Sequence, residues 1–238
     1  MIVVIPMAGR GSRYSKEGYE IPKPLIPIAG KPMILWALKS LAGLVVSKYI
    51  FVLLREHEVR FNVKKLIRKS IQQNVEFVLL DDVTEGQLCT VLAAKEFLEK
   101  DEDVLIASSD TLVENDLNKD IEDKHYEGII SVSDLPGDQW SFARTNESGR
   151  VVEVAEKVRI SDHASTGLYY FRKASDLIFF GEQMLANKEK TRNEYYVIPL
   201  YQKMIEAGMP IGISIAKEMW DMGTPAAKKN FEKHLAGL

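Results

Sequence analysis

Ile2-Val3-Val4-Ile5-Pro6-Met7-Ala8-Gly9-Arg10-Gly11-Ser12-Arg13 is a β-branched run that gives way at once to a loop of glycines and arginines. Four apolar residues in succession, with no polar alternation, mark a strand buried on both faces, the pattern of a parallel sheet. The stretch that follows, 7–28, is rich in Gly, Pro and basic side chains and has no helical pattern. Gly9 and Gly11 let the backbone approach an anion closely, and successive N–H groups can form a nest for it. Arg10 and Arg13 add fork-shaped cationic donors. Two other phosphate loops are excluded by context. A dinucleotide fingerprint needs a third glycine and an immediate helix, but Tyr14 holds that glycine position and Pro22, Pro24 and Pro27 delay the helix. A P-loop needs Gly-Lys-Ser/Thr, and Gly30-Lys31 is followed by Pro32.

Outward from this loop, the spacing predicts a helix over 32–44, with Pro at its first position and Gly43 near its end. Strands are predicted at 49–54, 75–80 and 104–107, an amphipathic helix at 59–72 and another helix at 87–98. The order β-α-β-α-β-α-β argues for an α/β fold: a Rossmann-like, mostly parallel mixed sheet with helices on both faces. Ligands then bind beyond the carboxyl ends of the strands. The second half changes character. Short strands at 128–132, 140–145, 151–155 and 167–171 are joined by tight links, one of them the turn Asn146-Glu147-Ser148-Gly149. Helices at 174–186 and 197–207 and a strand at 210–215 follow, and Thr224-Pro225 reads as an N-cap and first-position proline. With no linker and no repeat, a single domain over 1–238 with a small β-rich region is expected.

The 238 residues, 46% hydrophobic, can build their own core. A formal charge of −3 from 31 basic and 34 acidic residues gives no reason to expect nucleic-acid or membrane-surface binding, so any phosphate site must be local. No apolar run reaches membrane-spanning length, and 1–6 is too short for a signal peptide, so a cytoplasmic protein is expected. Self-association is left open. Cys89, the one cysteine, cannot form an internal disulfide, and its apolar setting in 88–94 predicts a buried, inert thiol. His57, His125, His163 and His234 show no metal-ligand spacing.

Taken with Pro22-Lys23-Pro24-Leu25-Ile26-Pro27-Ile28 and Gly30-Lys31-Pro32-Met33-Ile34, the loop 6–13 closely resembles the start of the sugar-1-phosphate nucleotidylyltransferases. The resemblance implies a GT-A-like nucleotidyltransferase fold in which Ala8, Gly9, Gly11 and Ser12 wrap a nucleoside triphosphate. Arg13 would neutralise the leaving pyrophosphate, and Lys23, ten residues on, would contact the phosphates at the reacting centre. Asp110 follows Ser108-Ser109, and Asp221 lies in Met219-Trp220-Asp221-Met222-Gly223-Thr224, after the last predicted strand. Both fall at strand carboxyl ends. Two carboxylates with phosphate oxygens and water suit Mg²⁺. Either residue alone could be a cap or turn residue; the resemblance implies that both ligate Mg²⁺, with Ser109 in place of the usual glycine. Asp81-Asp82 and Asp101-Glu102-Asp103 read as solvated strand ends.

The resemblance continues into the second half. It implies that Glu156 takes hydrogen bonds from sugar hydroxyls and that Lys157 holds the acceptor phosphate. Thr166-Gly167, in a T-G-x-Y-x-F stretch, matches as well. Trp140 and Ser141 stand where Tyr and Gly are common, and Trp140 reads equally as a stacking platform or as core. Thr84-Glu85-Gly86-Gln87 sits where the family reads the base, and Gln87 offers both a donor and an acceptor. The NTP half is then 1–115 and the acceptor half 116–238. The missing proline after Lys157 and the run 160–167 resemble the branch found with bacterial capsule and surface-polysaccharide genes. The activity implied is Mg²⁺-dependent transfer of NMP from an NTP to a phosphorylated small molecule. Two other readings fit less well. A glycosyltransferase on a similar sheet would usually carry D-x-D where this chain has Ser108-Ser109-Asp110. A non-catalytic sensor need not keep Arg13, Lys23, Asp110 and Asp221 together.

Overall fold

The computed structural model describes residues 1–237, Lys124 by its backbone. Strand β1 (Ile2–Pro6) lies at the centre of the main sheet. The short antiparallel pair β2 (Pro27–Ile28) and β3 (Lys31–Pro32) follows it in sequence, outside that sheet. β4 (Lys48–Leu54) pairs parallel with β1 on one side and carries β5 (Asn74–Leu80) beyond it. β6 (Val104–Ala107) pairs parallel with β1 on the other side. The chain thus winds outward from β1 to β5 and then crosses back, so the winding direction reverses between β1 and β6. That reversal opens a crevice at the carboxyl ends of these two strands. It is where the loop after Pro6 and the loop after Ala107 emerge.

The continuous apolar run of β1 is explained by cover on both faces. Ile2 and Val4 join a core with α5 (Gln87–Leu92), α7 (Ala174–Ala186) and α8 (Ile198–Glu206). Val3 and Ile5 join a second core with α2 (Met33–Ala37), α4 (Val63–Ser70) and α9 (Pro225–Gly237). The two-residue period of a strand divides its side chains between the layers.

Beyond β6 the main sheet turns antiparallel. β11 (Ala164–Phe171) pairs with β6 and with β8 (Gly128–Ser133), and β12 (Ile211–Ile215) adds parallel to β8. The hairpin of β9 (Ser141–Thr145) and β10 (Val151–Glu156) joins β11 at the Ala164–Phe142 pairing, forming the β-rich edge. β7 (Thr111–Glu114) pairs antiparallel with β13 (Glu218–Asp221) as a separate two-stranded arm, which sets Asp221 opposite Thr111. α6 (Leu117–Lys124) links β7 to β8.

Several expected elements are cut differently. The helix expected at 59–72 is two helices, α3 (Arg55–Phe61) and α4, because Asn62 is left-handed (φ 53°) and the Glu58 carboxylate accepts the Lys64 N–H at 2.8 Å. Pro32 precedes α2 as its cap residue, and a 3₁₀ turn over Leu38–Leu41 replaces the rest of the helix expected at 32–44. The helix expected at 87–98 is α5 followed by a 3₁₀ turn at Lys95–Phe97. The stretch 7–28 contains α1 (Ser12–Ser15) and a 3₁₀ turn at Lys23–Leu25. Asp221 ends a strand of its own, β13, not a loop after the last strand. Cys89 is half-buried, not fully buried; it packs on the core, and burial pushes its thiol pKa up. Among the described residues no helix is long and apolar enough to cross a membrane.

Candidate active site

The crevice at the β1–β6 reversal widens into a cleft of about 1340 Å³ that runs on to the β9–β10 hairpin. Its first wall is the segment Pro6–Arg13, which leaves β1. Gly11 is left-handed (φ 61°), and a Cβ there would stand 3.0 Å from the Cβ of Lys23, so this position needs glycine twice over. Gly9 has open space around it, so its missing side chain leaves room in the cleft and not in the packing. Ala8 is buried, while Ser12 and Arg13 are exposed on α1 at the cleft edge. The same short helix is tied down by Tyr14, whose buried hydroxyl donates to the carbonyls of Met222 (2.6 Å) and Thr224 (3.0 Å). That bond joins the glycine loop to the Asp221 loop.

Lys23 and the two aspartates meet at the cleft floor. The Lys23 ammonium lies 2.6 Å from Oδ2 of Asp110, both partly buried. A Cβ placed on Gly223 would stand 2.9 Å from Oδ2 of Asp110 and 3.0 Å from Oδ1 of Asp221, so the two carboxylates converge on one small space that glycine keeps open. The Gly223 N–H donates to Oδ1 of Asp221 at 2.8 Å, and the Met222 N–H donates to the Asp110 carbonyl at 2.8 Å. Burial raises the pKa of Asp221, and the neighbouring Asp110 charge adds to the shift, against the pull of Lys23 and Arg13. Two like charges held together at the crevice fit a hard divalent cation that completes its shell with oxygen ligands and water. No group of three or more His, Cys, Asp or Glu forms a separate metal cluster among the described residues.

The opposite end of the cleft is built by the hairpin and by a segment the sequence did not single out. Glu156, 8% exposed, accepts the Ser141 hydroxyl on one oxygen and has the Lys157 ammonium 3.7 Å from the other. Burial raises its pKa, and Ser141 and Lys157 partly offset the shift. Trp140 lies half-exposed at the rim, its indole N–H donating to the Pro136 carbonyl at 3.0 Å. Thr166 lines the floor but turns its hydroxyl to Ser131 at 2.8 Å. Gly167 is left-handed (φ 87°), and a Cβ there would meet the Ser108 hydroxyl at 2.2 Å, so it lets β11 pass against the Asp110 loop.

The side wall is Thr84–Gln87. The Gly86 φ of 143° and the Tyr195 backbone, 2.4 Å from a Cβ there, admit only glycine. Tyr195 donates its N–H to the Glu85 carbonyl (2.9 Å) and accepts from Leu88 (3.0 Å). Gln87, half-buried, opens α5 at the cleft wall. Arg10 reaches across to Asp82 at 3.1 Å, both strongly exposed. The residues missed by sequence reasoning are Tyr14, Asn193, Glu194 and Tyr196. Only the run Asn193-Glu194-Tyr195-Tyr196, polar residues and tyrosines just before a helix, offered a signal for the last three.

A glycine-and-arginine loop and a paired-aspartate floor at the switch point of a parallel sheet, with a carboxylate–ammonium pair facing them, define a nucleotide-binding α/β enzyme. The chain belongs to the nucleotidyl transferase family, whose sequence profile covers residues 2–235. It is 33% identical over 208 residues to the bifunctional protein GlmU of Thermotoga sp. (strain RQ2), a match covering 83% of this chain and 43% of that protein. It is 26% identical over 233 residues to GlmU of Methanococcus maripaludis, covering 94% of this chain and 52% of the relative. The chain therefore spans about half the length, or less, of these curated relatives. A nucleoside-diphosphate-sugar pyrophosphorylase from Vibrio cholerae RC9 superposes with a TM-score of 0.85 at 28% identity, covering 97% of this chain and 99% of that one. An inositol-1-phosphate CTP transferase from T. maritima shares the fold, with a TM-score of 0.77 at 15% identity.

Proposed function

We propose that this enzyme transfers NMP from an NTP to a sugar 1-phosphate or a similar phosphorylated acceptor, releasing pyrophosphate. One observation carries the reading. A single cleft holds a cationic glycine loop, a converging carboxylate pair and, facing them, a buried carboxylate beside an ammonium. The first suits a triphosphate, the second a divalent cation bound to it, and the last a phosphorylated, hydroxyl-bearing acceptor. In this reading 1–115 carries the NTP and 116–238 the acceptor, with Asp221 returning to the NTP side on β13.

The acceptor phosphate is already ionised near neutral pH, so its oxygen can attack the α-phosphorus with no general base. Rate enhancement then rests on positioning and on stabilising developing charge. The N–H groups and open space of Ala8, Gly9, Gly11 and Ser12 cradle the triphosphate. Arg13 stabilises charge on the departing pyrophosphate. Lys23, anchored by Asp110, holds its ammonium at the reacting phosphates. Gly86 and Gln87 face the base. Lys157 fixes the attacking phosphate, Glu156 takes acceptor hydroxyls, and Trp140, Thr166 and Gly167 shape the acceptor end. Asp110 and Asp221 would hold Mg²⁺, which when bound polarises the α-phosphate and neutralises its charge.

The structural likeness to an NDP-sugar pyrophosphorylase over nearly the full length of both chains supports a sugar phosphate as acceptor. The run 160–167 supports a product that feeds surface-polysaccharide synthesis. The use of an NTP as substrate supports a cytoplasmic location. The test is pyrophosphate release with Mg²⁺, screening CTP, UTP, dTTP, GTP and ATP against a panel of sugar phosphates and other phosphorylated metabolites. Release that needs one NTP and one acceptor, with the joined product seen by mass, is the expected outcome. Tight NTP binding without turnover on any pair would move the reading to a sensor.

A further inference from the structure

Lys157 is fixed at four points. Its backbone is left-handed (φ 55°), a conformation that L-residues other than Asn and Asp rarely hold. Its N–H donates to the Trp140 carbonyl at 2.9 Å, and its carbonyl accepts the Arg192 guanidinium at 3.2 Å. Its ammonium donates to the Tyr196 hydroxyl and lies 4.3 Å from the centre of the Tyr196 ring. The Glu156 carboxylate stands 3.7 Å from the same ammonium. Glu156 is itself anchored, because its other oxygen takes the Ser141 hydroxyl.

Tyr196 is equally well placed. It follows Tyr195, whose backbone is docked on Glu85 and Leu88, and precedes Val197 and Ile198, both buried at the start of α8. Burial and the Glu194 carboxylate beside it raise its pKa, so its hydroxyl keeps its proton and its oxygen is a neutral acceptor. An ammonium has three N–H donors on a stem of four rotatable bonds. Here one donor is taken by Tyr196 and a second side faces Glu156. The third is left for an incoming oxygen.

We infer that Tyr196 is a positioning residue that holds the Lys157 ammonium in place for the acceptor phosphate. The inference rests on the reading that Lys157 binds that phosphate. The hydroxyl fixes the direction of the ammonium. A lysine left free would sample several positions and meet the phosphate only part of the time. Removing the hydroxyl but keeping the ring therefore weakens phosphate capture and leaves the fold and the NTP side in place.

The experiment titrates inorganic phosphate by calorimetry into the full chain already saturated with an NTP, which fills the glycine loop, for the parent protein, Lys157→Met, Tyr196→Phe and the double variant. Lys157→Met keeps the apolar stem and removes the charge. It should weaken phosphate at least about 10-fold, as loss of a charge-assisted hydrogen bond does, and Tyr196→Phe about 5-fold, because only the placement of the ammonium is lost. In the Lys157→Met background, Tyr196→Phe should add nothing. With an acceptor that turns over in the pyrophosphate-release panel, Tyr196→Phe should raise the acceptor KM and leave the NTP KM unchanged. Unchanged phosphate affinity in Tyr196→Phe, or an equal loss with and without the Lys157 ammonium, overturns the inference while the role of Lys157 stands. Unchanged affinity in Lys157→Met removes the role of Lys157 itself, and the inference with it.

Discussion

Gly223→Ala separates the site from the fold. Gly223 is buried and its φ lies outside the left-handed region, so alanine is sterically allowed on the backbone. The new methyl would stand 2.9 Å from Oδ2 of Asp110 and 3.0 Å from Oδ1 of Asp221, where ordinary contact begins near 3.4 Å. Each oxygen must retreat by about half an ångström to relieve the contact. Mg²⁺ tolerates little distortion, with oxygen ligands near ~2.0–2.1 Å. A misplacement of about 1 Å at a reacting centre can lower the rate roughly 100-fold, so half of that points to roughly 10-fold or somewhat more. Overpacking costs about 1–3 kcal/mol. A chain of 238 residues unfolds with about 0.5 kcal/mol/K of entropy, so 1 kcal/mol lowers Tm by about 2 °C. The variant should therefore lose no more than about 6 °C of Tm. In the pyrophosphate-release assay it should lose at least about 10-fold in kcat and need more Mg²⁺ for half-saturation. A folded variant with parental kcat and parental Mg²⁺ dependence would refute the assignment of this carboxylate pair.

Three further substitutions probe the frame and the acceptor end. Gly86→Ala forces a Cβ against the Tyr195 backbone and disrupts two hydrogen bonds there; a loss of about 3–5 kcal/mol, or roughly 6–10 °C of Tm, is expected in thermal unfolding, and a parental midpoint would contradict it. Tyr14→Phe removes the buried hydroxyl that bonds to Met222 and Thr224; Tm should fall by about 2–4 °C, checked by calorimetry. Glu156 has its pKa raised from the ordinary value of 4.5 by burial. A carboxyl raised in the fold favours the folded state fully at pH below its unfolded pKa, and that contribution is lost as pH climbs through the folded pKa. Glu156→Gln, which cannot ionise, should thus gain Tm relative to the parent when both are moved from acidic to neutral pH. Parallel Tm–pH curves would show that Glu156 carries no such penalty.

The central sheet was legible because β1, β4 and β6 carry nearly unbroken apolar runs covered on both faces, which short-range pattern reports directly. The breaks in the helices were less legible because they depend on single residues. Asn62 interrupts an otherwise regular amphipathic pattern only because it takes a left-handed φ and the Glu58 side chain takes over a backbone N–H of the next helix. β7 and β13 are four residues each and gain their strand character from pairing with one another, 104 residues or more apart, information that no local window holds. The glycine loop, Asp110 and Asp221 stood out as residue types at strand ends, and the structure brings them to one cleft, the loop as its wall and the aspartates at its floor with Lys23. Tyr14, buried behind the cleft, and Tyr196 on its wall did not stand out. A tyrosine whose hydroxyl bonds a carbonyl 208 residues away, as Tyr14 does, reads locally like any core aromatic.

Nucleotidyl transfer is defined by attack on the α-phosphorus. The most direct measurement supplies the NTP and acceptor identified by the panel, with radiolabel placed at the α-phosphate in one reaction and at the γ-phosphate in another. Nucleotidyl transfer predicts that the α-label moves to the joined acceptor product and the γ-label leaves as pyrophosphate, both only when the acceptor is present. The γ-label on the acceptor, or released as inorganic phosphate without it, would contradict nucleotidyl transfer.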